Sequence, residues 1–86
     1  MELEETVKKE IRKMEKVFKK IKLLDGNVKE IFNLAKAYLD DSKYFYKKKD
    51  FLRAFEAAVI SWAYVDGGLH MKILDVPEEE KEVFTV

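Results

Sequence analysis

Residues 54–65 decide the fold, and they read AFEAAVISWAYV. Only Glu56 and Ser61 are polar in this stretch, and its larger apolar residues recur at the three- and four-residue spacing of an α-helix. A helix that is apolar on nearly every side must be covered on nearly every side, and two partner helices cover only roughly two-thirds of it. The remaining surface predicts contact with a second copy or with another protein.

Two further amphipathic helices are predicted before this stretch. The first carries apolar residues three or four positions apart, at Leu3, Val7, Ile11, Met14, Phe18, Ile21 and Leu24. The second follows the helix-breaking segment at 25–27, in which Asn27 suits an N-cap position. Asp50 suits the N-cap of the third helix, which should end before Pro77. Gly67 and Gly68 predict a kink or a close approach by a neighbouring backbone. The expected helices cover about residues 2–24, 27–48 and 50–74.

These elements predict an all-α protein with one domain. Because both connections are short, we expect an antiparallel up-down-up three-helix bundle over residues 1–76. A short acidic C-terminal tail, residues 77–86, follows as a solvated or loosely docked segment that its apolar end, VFTV, could anchor. Residues 1–24 carry eight basic and five acidic groups, whereas residues 75–86 carry one and five. The two ends could attract each other within one chain or between two, and docking of the tail on the first helix stays open.

Composition excludes several classes of site. The chain has no cysteine, which excludes disulfides and thiolate metal sites. No apolar run approaches 18 residues, so no membrane partner is expected, and the acidic, amphipathic start differs from a secretory signal. We therefore expect a cytoplasmic protein. Charged residues make up 40% of the chain and glutamine is absent, a composition typical of thermophilic proteins.

One part of the sequence resembles a known family. The residues that carry the resemblance are DSKYFY at 41–46, KDFLRAF at 49–55 and WAYVDGG at 62–68. Over roughly residues 5–76 the chain resembles the small archaeal proteins grouped as domain of unknown function 357. The resemblance implies a three-helix bundle and an archaeal, cytoplasmic source. It implies no assigned activity and provides no catalytic residues to transfer.

Three groups of residues are candidates for function. The candidate interface on the third helix is Phe55, Val59, Trp62 and Tyr64, although aromatic residues at this spacing also suit a core. A candidate polar cluster is Asp41, Asp66 and His70, in which Asp66 and His70 are one helical turn apart and also suit a plain surface pair. A candidate basic face on the first helix is Lys9, Arg12, Lys13, Lys16 and Lys20, which equally suits a solvated surface.

These patterns favour a non-catalytic protein–protein interaction or self-association module, such as a homodimer. The alternative is an accessory nucleic-acid-binding protein that uses the basic face. An enzyme ranks third, because it would need Asp66 and His70 to meet Asp41 or Arg53 in one hollow. We expect no catalytic, cofactor-binding or metal-binding residues and no cofactor.

Overall fold

Three long helices form the molecule, as the apolar periodicity predicts. A computed structural model describes residues 2–86. Helix α1 covers Glu2–Lys20, α2 covers Lys29–Lys47 and α3 covers Phe51–His70. The all-α class is therefore confirmed, with the addition of one small pair of strands. None of the described helices is long and apolar enough to cross a membrane.

The core lies where the three helices meet. From α1 it receives a stripe of buried side chains at helical spacing, namely Val7, Ile11, Met14 and Val17. Two fully buried serines join α2 to α3: Ser42 Oγ donates to the Ala54 carbonyl at 2.6 Å, and Ser61 Oγ donates to the Ala35 carbonyl at 2.7 Å. The end of α2 thus lies beside the start of α3, and the first half of α2 lies beside the second half of α3. These two helices therefore run antiparallel.

Two of the predicted helices end earlier than the sequence indicates. The first was expected to reach about residue 24 and the third about residue 74, but α1 ends at Lys20 and α3 at His70. The residues beyond each end form an antiparallel pair of short strands, β1 (Lys22–Leu23) and β2 (Leu74–Asp75). The Leu24 amide extends the ladder by donating to the Ile73 carbonyl at 2.9 Å. Inter-strand hydrogen bonds here replace the helical ones that a longer helix would make.

The connection between α1 and α2 also differs from its predicted form. Asn27 was expected to cap the second helix, but it lies within a short 3-10 helix, Gly26–Val28. Asp25 is the capping residue, since its Oδ1 accepts from the Asn27 amide at 2.9 Å. Helix α2 then starts at Lys29, two residues later than expected. Asp50 does cap α3, because its Oδ1 accepts from the Arg53 amide at 3.2 Å.

Helices α2 and α3 end in the same backbone motif. Lys49 and Lys72 adopt φ values of 62° and 59°, in the left-handed region. After α3, the Ile73 amide donates to the Gly68 carbonyl and the Lys72 amide to the Leu69 carbonyl. This pair of bonds is the Schellman arrangement, which satisfies carbonyls at a helix end and most often uses glycine. It turns the chain from α3 directly into β2.

The two adjacent glycines of α3 have different surroundings. A Cβ added to Gly68 would collide with the Leu74 side chain, whose Cγ would be only 2.8 Å away, whereas one added to Gly67 would meet nothing within 4 Å. A close approach is therefore made at Gly68, but by a side chain of β2 and not by the neighbouring backbone that the sequence predicted. Leu74 is fully buried there, at 2% exposure.

The acidic tail folds back onto the helices. After Pro77 it forms a 3-10 helix, Glu78–Val83, and continues to Val86. Glu80 is 4% exposed and Phe84 is 8% exposed, so this segment is docked rather than solvated. We call residues 78–86 the C-terminal strap.

Candidate interaction surfaces

The candidate interface residues on α3 lie in different environments. Val59 is 40% exposed, whereas Phe55, Trp62 and Tyr64 are half-buried. Trp62 faces the strap, because its Nε1 donates to the Val83 carbonyl at 2.7 Å. Tyr64 stacks on Tyr38 of α2, with ring centroids 5.9 Å apart. These four side chains therefore do not form one continuous patch.

A different set of apolar side chains faces outward from α3. Leu52 is 63% exposed, and Val59 and Ile60 are 40% and 39% exposed. Ala63 and Gly67 are also exposed and continue the line at four-residue spacing. We call these five residues the α3 strip. The sequence does contain a signal for this strip. Residues 52, 59, 63 and 67 are seven and then four positions apart, which places them on one side of the helix, opposite the buried residues.

A shallow hollow lies beside the strip, between α2 and α3. Its walls include Tyr38, Asp41 and Phe45 of α2 and Arg53 and Ile60 of α3. Arg53 lies over the Phe45 ring, 5.9 Å from its centroid. The hollow thus combines apolar walls with two oppositely charged side chains at its edge, which resembles the rim of a protein interface.

The candidate polar cluster is divided between two places. Asp66 and His70 do meet, with 3.8 Å between Asp66 Oδ2 and His70 Nε2. Both also contact Thr85 of the strap, which donates its amide to Asp66 Oδ1 at 2.8 Å. Asp41 lines the hollow between α2 and α3, together with Arg53, and His70 lines a separate one beside the strand pair. Asp66 and His70 therefore do not share a hollow with Asp41 or Arg53, as the enzyme hypothesis required.

The described residues contain no group of histidine and carboxylate side chains that could hold a metal ion. Asp50 and Asp25 each accept a hydrogen bond from a backbone amide instead.

The basic face of α1 is partly neutralised by other side chains. Lys13 Nζ is 2.6 Å from Glu10 Oε2 on the same helix. Lys16 and Lys20 turn to the strap, at 3.5 Å from Glu80 and Glu79 respectively. Lys9 and Arg12 are exposed, and no ion pair involves them within the described chain. The strap therefore docks on α1, and it takes two of the five lysine and arginine charges that the sequence assigned to this face.

The charge on the strap depends on pH through Glu79. A backbone hydrogen bond lowers the pKa of this carboxyl below its ordinary value of 4.5, and the charges of Lys20 and Lys16 lower the pKa further. A carboxyl whose pKa is depressed by folding stabilises the folded state above its unfolded pKa, and that contribution is lost as the pH falls through the folded pKa. Ionised Glu79 thus stabilises the folded strap, first through this hydrogen bond to its own backbone and then through its attraction to Lys20 and Lys16.

We expect Glu79→Gln to reduce stability at pH 6 and to have progressively less effect as the pH falls below about 4.5. Urea unfolding of both proteins between pH 6 and pH 3 measures this convergence. Glu82→Gln is a matched control, because Glu82 is an exposed strap residue with no ion pair in the described chain. A constant difference between Glu79→Gln and the parent protein over the whole range would contradict the assignment.

The chain is similar to proteins of a known family. The family model described as protein of unknown function (DUF357) matches residues 4–74. The chain is a member of the DUF357 family. The crystal structure of AF1782 from Archaeoglobus fulgidus, which carries the same family designation, is similar to this chain with a TM-score of 0.79 and 33% sequence identity. The similarity covers 88% of this chain and 95% of that one.

DUF357 membership confirms the resemblance seen in the sequence, and this similar crystal structure comes from an archaeon. No curated protein matches the chain. The α3 strip lies inside the residues that the DUF357 model matches, whereas the C-terminal strap lies beyond residue 74. Only the α3 strip thus lies within the part of the chain that the family model describes.

Proposed function

We propose that this DUF357 protein is a non-catalytic self-association module of the cytoplasm, and that two copies bury their α3 strips against each other. The observation that carries the proposal is the exposure of Leu52, Val59 and Ile60 at 63%, 40% and 39%. Scattered single apolar side chains are normal on protein surfaces, but an aligned group of them is typical of an interaction site. The scaffold that presents the strip is, in this proposal, an up-down-up bundle.

The geometry of the strip favours a helix as the opposing surface. Val59, Ala63 and Gly67 follow one another at four-residue spacing, seven residues after Leu52, so they form one line along α3 with Ile60 beside it. Ala63 and Gly67 are small, which allows a second helix to approach closely at that end. Two α2–α3 hairpins joined in this way would make a four-helix arrangement of the kind that many dimers use.

The surroundings of the strip supply a polar rim. Arg53, with a side chain that is 68% exposed, lies at the edge of the strip, whereas the exposed Glu56 interrupts it between Leu52 and Val59. Interfaces between independently folded partners combine an apolar centre with such a rim. A symmetric pair of copies would place the same residues on both sides of the contact.

Sedimentation velocity over a range of protein concentrations tests the proposal. We expect a concentration-dependent shift from monomer to dimer, and we expect Ile60→Glu to weaken dimerisation by at least about tenfold, because it buries an unpaired charge at the centre of the contact. Tyr44→Glu is the matched control, since Tyr44 is an α2 residue that is 58% exposed and lies outside the strip. A parent protein that remains monomeric at millimolar concentration would overturn the proposal.

The nucleic-acid alternative has less support. The strap's carboxylates lie against Lys16 and Lys20, which reduces the positive potential of the α1 face. Lys9 and Arg12 remain as the exposed positive charges for phosphate contacts. This alternative predicts binding to duplex DNA or RNA that falls steeply with salt and weakens in Lys13→Glu/Lys16→Glu. Absence of binding at low ionic strength removes it.

A further inference from the structure

The C-terminal strap is held on the bundle by a set of directional contacts to α3. Trp62 Nε1 donates to the Val83 carbonyl at 2.7 Å, and the Trp62 and Phe84 rings stack with centroids 5.9 Å apart at an interplanar angle of 13°. One helical turn further on, Asp66 accepts hydrogen bonds from both the amide and the hydroxyl of Thr85, at 2.8 Å each. Such contacts recognise a peptide main chain and one aromatic side chain.

The opposite side of the strap is held by charge alone. Glu80 is 4% exposed, and its Oε1 lies 3.5 Å from Lys16 Nζ and 3.9 Å from Lys20 Nζ. These distances are too long for hydrogen bonds, and Glu80 Oε1 has no hydrogen-bond partner among the described residues. A buried carboxylate that attracts two ammonium groups without a hydrogen bond recovers only part of the free energy lost on leaving water.

The strap thus makes good hydrogen bonds to α3, but its buried carboxylate makes no hydrogen bond to the lysines of α1. The surface beneath the strap consists of Lys16 and Lys20 on α1 and Trp62, Asp66 and His70 on α3, and we call it the strap groove. All five residues lie within the part of the chain that the DUF357 model matches, whereas the strap lies outside it. The groove therefore lies inside the family-matched region, and its occupant lies beyond it.

We propose that the strap groove is a docking site for a short acidic peptide that carries an aromatic residue, and that the strap is a built-in competitor for such a partner. The partner must present carboxylates to Lys16 and Lys20, a main-chain carbonyl to Trp62 Nε1 and an aromatic ring to the Trp62 face. A carboxylate about 0.5 to 1 Å closer to the lysines than Glu80 forms the hydrogen bonds that the strap lacks. This role is independent of the α3 strip, which faces away from the core.

The strap's advantage over a free peptide is its tether. A segment joined to its site through a short linker acts at an effective concentration of the order of millimolar. The apparent affinity of a free peptide for the groove is therefore reduced by the fraction of molecules in which the strap is docked. Weakening the strap without altering the groove must increase the peptide's affinity, and this is the signature of competition.

The test uses the 86-residue chain and a fluorescein-labelled peptide with the sequence of residues 77–86, PEEEKEVFTV. Fluorescence anisotropy reports peptide binding. We expect Phe84→Ala to bind the peptide at least about tenfold more tightly than the parent protein, because its own strap is released. Lys16→Glu/Lys20→Glu combined with Phe84→Ala should abolish this gain, and a peptide with glutamine in place of Glu79 and Glu80 should bind at least about tenfold more weakly.

Trp62 is the only tryptophan of the chain, so its emission reports independently whether the strap is docked. Phe84→Ala should shift the emission to longer wavelength, and added peptide should reverse the shift. Because Phe84 is buried, Thr85→Val serves as a second variant: Thr85 is exposed, so the fold is retained while the hydroxyl bonds to Asp66 are lost. We expect Thr85→Val to change both readouts in the same direction by a smaller amount.

Two results would overturn the proposal. One is a red-shifted Trp62 emission in Phe84→Ala or Thr85→Val with no increase in peptide affinity. This result would mean that the groove does not bind a free peptide even when the strap is released. The other is a dimer of the parent protein that the peptide dissociates, which would assign the groove to the strap of a second copy. Ile60→Glu separates this dimer from the one proposed for the α3 strip, because it leaves the strap groove unchanged.

Discussion

Gly68→Ala is expected to lower the free energy of unfolding by about 1–3 kcal/mol, the usual effect of forcing an extra methyl group into a packed site. The new Cβ would collide with the Leu74 side chain, whose Cγ would be 2.8 Å away. Leu74 cannot swing into solvent, because it is 2% exposed and its backbone is paired with Leu23. Chemical denaturation with urea, followed by circular dichroism, measures the change.

Gly67→Ala provides the matched control for this substitution. The two glycines are adjacent in the same helix, but a Cβ at Gly67 meets nothing within 4 Å. Alanine in an open helical position stabilises by about 0.5–1 kcal/mol relative to glycine. The two substitutions should therefore have opposite signs. Equal effects would show that Leu74 does not pack against Gly68 in solution.

Leu74→Ala is expected to have the larger effect, a loss of about 2–5 kcal/mol, as is typical when a buried leucine is truncated. Removing the Leu74 side chain leaves a cavity beside Gly68 and also removes the atoms with which the Gly68→Ala methyl collides. The double variant Gly68→Ala/Leu74→Ala should therefore be more stable than the sum of the two single changes indicates. Urea unfolding of the four proteins in the cycle measures the coupling. A strictly additive double variant would contradict the contact.

Much of the fold follows from local patterns in the sequence. The three helices are encoded by apolar residues at helical spacing, such as Val7, Ile11 and Met14, and the start of α3 by the capping residue Asp50. Each of these signals acts over a few residues, so a single sequence reveals it. The family resemblance implies the same three helices and gives no further structural detail.

The features that the sequence did not reveal depend on distant residues. The strand pair joins residues 22–23 to 74–75, and two-residue strands are too short to show any periodicity. The helices end early because this pairing competes with the next helical turn. Strap docking likewise depends on Phe84 meeting Trp62, a contact between segments that are separate in the sequence. The residues of the α3 strip were only partly anticipated, because exposure distinguishes Leu52 and Ile60 from Phe55 and Trp62, and apolar character does not.

The two left-handed lysines have a consequence for how the helix ends are stabilised. Glycine would adopt the backbone angles of Lys49 and Lys72 at less cost, since L-residues lose roughly 1–2 kcal/mol there. Lysine, however, adds a positively charged side chain at the residue that follows each helix, and the helix dipole attracts positive charge near its C-terminal end by about 0.3–1 kcal/mol at low ionic strength. At each helix end the electrostatic attraction therefore offsets part of the backbone strain. Because salt screens the attraction and leaves the strain unchanged, added salt makes lysine less favourable than glycine at these two positions.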